Sequence, residues 1–240
     1  MKNTVFRDGQ NRRGTMLENY VTLRQYESKK KNVILTRYEG RSCILKLCKD
    51  AQAATKEATM MQKIANTGYA PQVYTCKDNV FICEYIEGES LQEKFVMATM
   101  QDDTKMMSTL AKSLCIFLQM FHSVSGGFIL EKIDFANFII TDDNRCIGIS
   151  FDGIEENLPY HDVAHVIVTA IVECVGDYTA CFPFISKVMS CFHLDTIDII
   201  NDVAIAMDEN KHFVYDKQEV LSTLVSFAEK TATWKLLGEK

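Results

Sequence analysis

Hydrophobic and polar residues alternate in short runs along the first third of the chain, and most of the remainder has helical spacing. Five strands are predicted, at residues 21–23, 32–36, 42–48, 72–74 and 80–83. Residues 51–65 are the exception in this region, because they are rich in Ala, Met, Lys and Glu and carry one apolar stripe, which predicts a helix. Farther along, helical spacing links Leu110, Leu114, Phe117, Leu118 and Phe121. Strands followed by helices predict an α+β fold with two segregated lobes joined near Tyr85.

One hairpin interrupts the helical region. Residues 138–140 and 146–149 are predicted to be its strands, and the turn between them contains Thr, Asp and Asn, which hydrogen-bond to their own backbone. Asn137 precedes the first strand, and Ser150 and Asp152 follow the second. Because the outer ends of a hairpin lie side by side, these polar residues are predicted to meet where a cation or a phosphate could bind.

Composition narrows the class of protein. A chain of 240 residues with 47% hydrophobic residues can bury a core as one large domain or two small lobes. The net charge of −6 argues against a general nucleic-acid surface. Nine cysteines without a CxxC pair, and no signal peptide, predict reduced thiols in a cytoplasmic protein and argue against zinc. No apolar run approaches the ~20 residues of a membrane span.

A lysine and a glutamate in the first third are predicted to face inward. Lys46 lies on the same face of its strand as Ile44 and Cys48, and Glu57 borders the apolar stripe of the helix. A buried lysine needs an anionic partner, whereas a lysine near an edge can keep its charge in water. By spacing alone, an ion pair and two separate half-exposed charges both remain open.

Several segments resemble, in order, the protein-kinase-like superfamily, with the closest similarity to aminoglycoside, choline and lipopolysaccharide kinase-like proteins. The most specific are GYAPQV at 68–73 and EYIEGESL at 84–91. CILK at 43–46 resembles the strand whose lysine holds nucleotide phosphates, and Glu57 resembles its helix partner. Downstream, LCIFLQMFHS is similar to the helix before the catalytic loop, and NFII to the segment that begins with the loop asparagine. ISFDG is similar to the metal-binding strand end, and PYHDVA to a large-lobe helix.

The resemblance implies a two-lobed protein-kinase-like fold. Residues 1–86 would form a small antiparallel-sheet lobe with one helix, and residues 87–240 a larger helical lobe that carries the equivalent of the catalytic loop. The implied ligand is ATP or another nucleotide, held at a hinge near Tyr85 between apolar walls from Ile44 and Ile149. The residues implied to bind it are Lys46, Glu57, Glu84, Tyr85, Ile86, Lys132, Asn137 and Ile149.

Departures from the family's pattern predict weak or absent phosphoryl transfer. Lys132 stands where the family has its catalytic carboxylate, and Leu130 where it has a histidine. Ser150, a neutral side chain, stands where the family has its metal-binding aspartate. The loop at 24–31 contains no glycine to bring backbone amides close to phosphates. These differences predict a pseudokinase that binds nucleotide or a protein partner without efficient catalysis.

Two alternatives stay open. The chain could be an active ATP-dependent small-molecule phosphotransferase in which Asp134 has the catalytic role and Asn137 and Asp152 hold magnesium. Equally, Asp134 could cap its loop and Asp152 could be a solvated turn residue. The other alternative is a scaffold that binds no nucleotide. Asp162 is predicted to brace the backbone of the loop at 131–137, because a carboxylate can satisfy buried N–H groups there.

Overall fold

A computed structural model describes residues 21–26, 32–38, 40–130, 132–174, 176–194 and 196–238. The fold is α+β, as predicted. Its first part is a five-stranded antiparallel sheet in the order β1-β2-β3-β5-β4. The strands are β1 (Val21–Tyr26), β2 (Asn32–Tyr38), β3 (Arg41–Leu47), β4 (Val73–Lys77) and β5 (Val80–Glu84). All five predicted strands are therefore present, with ends that differ by a few residues.

Helix α1 (Ala51–Ala65) follows β3 and has the predicted bounds. It begins at Asp50, whose side chain accepts a hydrogen bond from the N–H of Ala53 at 2.7 Å, which satisfies one of the free donors of the first turn. Its apolar stripe, including Met61 and Ile64, is buried against the inner face of the sheet and the main hydrophobic core. The opposite face of the sheet holds a separate small cluster around Leu45.

The second part is mostly helical. Its helices are α2 (Leu91–Met100), α3 (Thr104–Ser125), α4 (Pro159–Glu173), α5 (Phe182–Phe192), α6 (Thr196–Glu209) and α7 (Lys217–Gly238). The five apolar residues that predicted α3 are all fully buried. No helix among the described residues combines the length and the apolar composition that crossing a bilayer requires.

Two small sheets lie within the described residues of this helical part. The predicted hairpin is confirmed as β8 (Phe138–Ile140) and β9 (Cys146–Gly148), and β6 (Glu89–Ser90) adds a third strand beside β8. In the second sheet, β7 (Phe128–Leu130) pairs with β10 (Ile154–Glu156). The expectation of a single hairpin among helices was thus wrong, because strands of two or three residues are too short to show a period in the sequence.

Gly88 joins the two parts and approaches β8 closely. Its φ is 150°, and a Cβ atom there would overlap the carbonyl oxygen of Ile140 and lie 2.6 Å from Cγ2 of Ile139. Only glycine avoids both the backbone strain and the collision.

Gly88→Ala is expected to lower the free energy of unfolding by about 2–3 kcal/mol, because strain and overpacking act together. Urea denaturation measures this change. Gly126→Ala is the matched control, since Gly126 also has a positive φ but has open space around its Cβ position. Equal losses for the two variants would contradict the close approach at Gly88.

Candidate functional site

Lys46 and Glu57 form an ion pair between β3 and α1. The Lys46 Nζ atom lies 3.0 Å from Glu57 Oε1, and the two residues are 5% and 1% exposed. Lys46 Nζ also lies 5.5 Å from the centre of the Phe81 ring. The predicted pair is therefore confirmed, but Glu57 is fully buried rather than at the border of the helix stripe. Charges this deep are maintained only when their hydrogen bonds are satisfied.

The ion pair is tied to the end of the β8–β9 hairpin by backbone groups. Lys46 Nζ donates to the carbonyl oxygen of Ile149, and Glu57 Oε1 accepts from the N–H of Phe151 at 3.3 Å. Lys56, the neighbour of Glu57 on α1, donates to the carbonyl oxygen of Ile154 at 3.1 Å. Three contacts thus connect the sheet and its helix to residues 149–154. Sequence reasoning did not identify them, because backbone atoms carry no residue-specific signal.

The two ends of the hairpin lie side by side, as predicted. The N–H of Ile149 donates to the carbonyl oxygen of Asn137 at 2.9 Å, which continues the β8–β9 pairing by one residue. Ser150 follows directly, and its hydroxyl donates to Asp152 Oδ1 at 3.2 Å. An amide, a hydroxyl and a carboxylate therefore come from this end of the hairpin, next to the carbonyl that holds Lys46.

The chain from Glu84 to Gly88 connects the five-stranded sheet to the helical part. Glu84 is the last residue of β5, and its N–H donates to the carbonyl oxygen of Gln72 at 2.9 Å. Beyond it, no hydrogen bond among the described residues involves the backbone of Ile86 or Glu87. That this segment binds a ligand through its backbone stays a prediction.

Asp162 braces the segment that precedes the hairpin. Its carboxylate accepts from the N–H of Leu130 at 2.9 Å and lies 2.7 Å from His122 Nε2. Burial raises the pKa of the Asp162 carboxyl, while hydrogen bonds from His122 and Leu130 oppose that rise. Thr169, also on α4, donates to the carbonyl oxygen of Ile133 at 2.9 Å. Asp162 therefore does satisfy a buried backbone N–H, but at Leu130, the end of β7, and not within the predicted range 131–137, where Thr169 makes the contact from α4.

Asp134 and Lys132 lie in this braced segment, and both side chains are exposed. Asp134 Oδ1 accepts from the N–H of Ala136 at 2.9 Å and caps the 3-10 turn Phe135–Asn137. Its carboxylate therefore makes the loop-capping interaction that the sequence left open. Lys29 to Lys31, in the loop without glycine at 24–31, lie outside the described residues.

The donor set at the hairpin end does not match a magnesium site of the kind that the resemblance implies. Ser150 supplies a neutral hydroxyl where a carboxylate would bind the ion, and Mg²⁺ is usually held through carboxylates. Within the described ranges, no three His, Cys, Asp or Glu side chains are grouped so that they could hold a metal ion. Asn137 and Asp152 remain as the oxygen ligands that the sequence proposed.

At this end of the hairpin, a buried ammonium group therefore lies beside a polar amide, hydroxyl and carboxylate. Comparison with models of known protein families gives no match to this chain, and comparison with curated proteins gives none either.

Proposed function

We propose that this chain is a protein-kinase-like pseudokinase, which binds ATP or another nucleotide without efficient phosphoryl transfer. The observation that supports it best is the Lys46–Glu57 pair, joined to the carbonyl of Ile149 and the N–H of Phe151. The same four residues belong to the segments that carry the sequence resemblance. Their contacts give that resemblance a physical counterpart, because they join the strand, helix and hairpin in one site.

Nucleotide binding is supported at both ends of the ligand. An ammonium group has three donors, and Glu57 and Ile149 accept two of those of Lys46, so the third is proposed to meet a phosphate oxygen. The backbone of Ile86 and Glu87 would hydrogen-bond to the base. Ile44 and Ile149, both half-buried, would supply apolar walls of the kind that ligand pockets commonly have.

The proposed lack of efficient transfer follows from the side chains near the phosphates. A kinase uses one carboxylate to orient the acceptor hydroxyl and another to hold magnesium. In the sequence resemblance, Lys132 and Ser150 stand at the two corresponding positions, and Asp134 is hydrogen-bonded to its own loop. Relative to an active kinase, the site gains about three units of positive charge.

We therefore expect ATP to bind without magnesium and to bind less tightly as salt concentration rises. The lysines would neutralise the phosphates directly, and exposed charges are screened by salt. Calorimetric titration of ATP in EDTA and in magnesium measures this. Lys132→Glu should weaken binding about tenfold or more, since it reverses a charge near the phosphates. Lys217→Glu, at an exposed lysine of α7, is the matched control and should have no effect.

Other outcomes of the titration favour other functions. Binding only with magnesium, unchanged by Lys132→Glu, would contradict the proposal and favour an active phosphotransferase that uses Asp134 and Asp152. Transfer of the γ-phosphate from labelled ATP to a hydroxyl substrate, lost in Asp134→Asn, would establish that alternative. Absence of ATP binding in both buffers would favour the remaining alternative, a scaffold that binds no nucleotide.

A further inference from the structure

A groove of about 370 Å³ lies between α1 and β4, and it is separate from the Lys46 site. Its floor contains Ala58 and Val73, and a row of polar residues on α1 forms one wall. Cys76, whose side chain is exposed, lies in the other wall. A β-bulge between Val73 and Thr75 places Val73 and Cys76 on the same side of β4, although they are three residues apart.

The groove borders an open edge of the five-stranded sheet. β4 is the last strand in the order, so only β5 pairs with it among the described strands. At the Val73 end of β4 the edge is closed, because the N–H of Val73 donates to Oε1 of Gln62 at 3.2 Å. The remaining part, Thr75 to Lys77, has outward backbone groups without a strand partner in the described chain. Such an edge can pair with an added extended peptide.

The charge of the residues that line the groove indicates which kind of peptide would bind there. The residues that line it include Lys63 and no Asp or Glu. The whole chain has a net charge of −6, so this groove differs in sign from the protein that surrounds it. A carboxylate-bearing partner would therefore be attracted here and repelled over much of the remaining surface.

We propose that this groove binds a short extended acidic segment of a partner protein. The segment would hydrogen-bond to the open edge of β4 at Cys76, then leave that edge and pass over Gln62 and Val73 along the groove, which brings a carboxylate to Lys63. The proposal goes beyond nucleotide binding and names the chemistry of a protein partner. Thr55 adjoins Cys76 and precedes Lys63 by eight residues on α1, which is about 12 Å. An extended peptide spans that distance in about four residues.

Cys76 itself allows a direct test. Peptides that carry one cysteine are equilibrated with the full chain in a thiol–disulfide buffer, and mixed disulfides are counted by mass spectrometry. The probes are Ac-CTVTE-NH2 and its reverse, Ac-ETVTC-NH2, in which glutamate lies four residues from cysteine. The controls replace Glu by Gln, or place Glu next to the cysteine. Cys191, half-buried in α5, is the internal reference thiol, and Cys76→Ser and Cys191→Ser variants locate the capture.

We expect Cys76 to capture one of the two probes about fivefold more than its Gln version, which is the effect of an ion pair near 1 kcal/mol. The preference should disappear in Lys63→Ala and be absent at Cys191. Equal capture of Glu and Gln peptides, or a preference that persists in Lys63→Ala, would overturn the proposal. So would an excess of dimers linked through Cys76, since the groove would then bind a second copy of this chain. None of these results depends on ATP binding, so the two proposals fail separately.

Discussion

Glu57→Ala is expected to lower the free energy of unfolding by about 3–5 kcal/mol, because it leaves the buried ammonium of Lys46 without its anionic partner. The N–H of Phe151 loses its acceptor in the same substitution. The loss should therefore exceed that of removing an apolar side chain of similar size at the surface. Chemical denaturation monitored by circular dichroism measures it directly.

Two controls separate the buried charge from general effects of substitution. Asp208→Ala removes the partner of Lys217 in an exposed pair with a 2.6 Å separation, and its effect should remain below about 1 kcal/mol. Replacing Lys46 by Met together with Glu57 by Leu should cost less than Glu57→Ala alone, because no buried charge is then left unpaired. If Glu57→Ala is no more harmful than Asp208→Ala, the pair does not have the stabilising role assigned to it.

The predicted elements that proved correct are those with long or strongly patterned signals. Helix α1 has the bounds that its composition and its apolar stripe indicated, and α3 buries the five residues that predicted it. The β8–β9 hairpin was identified from its turn, where Asn144 adopts a positive φ of 61° that asparagine tolerates well. In each case the interactions that form the element are between residues close in sequence, so the local sequence is sufficient to predict it.

The elements that were missed depend on distant partners. β7 and β10 have three residues each, and residues 131 to 153 separate them in the sequence. Each strand pairs with the other and has no recognisable pattern of its own. The depth of Glu57 has a similar origin. On its helix it is a residue at the edge of a stripe, and its burial results from Lys46 and Phe151, which arrive from other parts of the chain.

The Lys46–Glu57 pair was predictable from its side chains and not from its backbone contacts. The two residues could be selected because a charged residue in an apolar pattern needs a partner. The carbonyl of Ile149 and the N–H of Phe151 could not, since any residue would supply them. The groove between α1 and β4 was also invisible in the sequence, because it arises from a bulge and from the packing of two elements.

Asp162→Ala is expected to lower the free energy of unfolding by about 3–5 kcal/mol, since two donors then lose their acceptor in the interior. One is the N–H of Leu130 and the other is the ring nitrogen of His122. Asp162→Asn retains one oxygen and should recover part of the loss. Asp202→Ala is the matched control, because Asp202 pairs with His161 at 3.4 Å nearer the surface, and its effect should stay near 1 kcal/mol or below.

Amide hydrogen exchange at Leu130 then distinguishes a local brace from a general loss of packing. If the Asp162 carboxylate holds this N–H, exchange at Leu130 should accelerate in Asp162→Ala by more than at amides of α3 away from His122, and Asp162→Asn should be intermediate. His122→Ala should destabilise the protein while leaving the Leu130 amide protected, because its acceptor is still present. Uniform acceleration at all core amides in Asp162→Ala would mean that Asp162 supports the α3–α4 packing as a whole. The segment from Leu130 to Asn137 would then be positioned by its other contact, the hydrogen bond from Thr169 to Ile133.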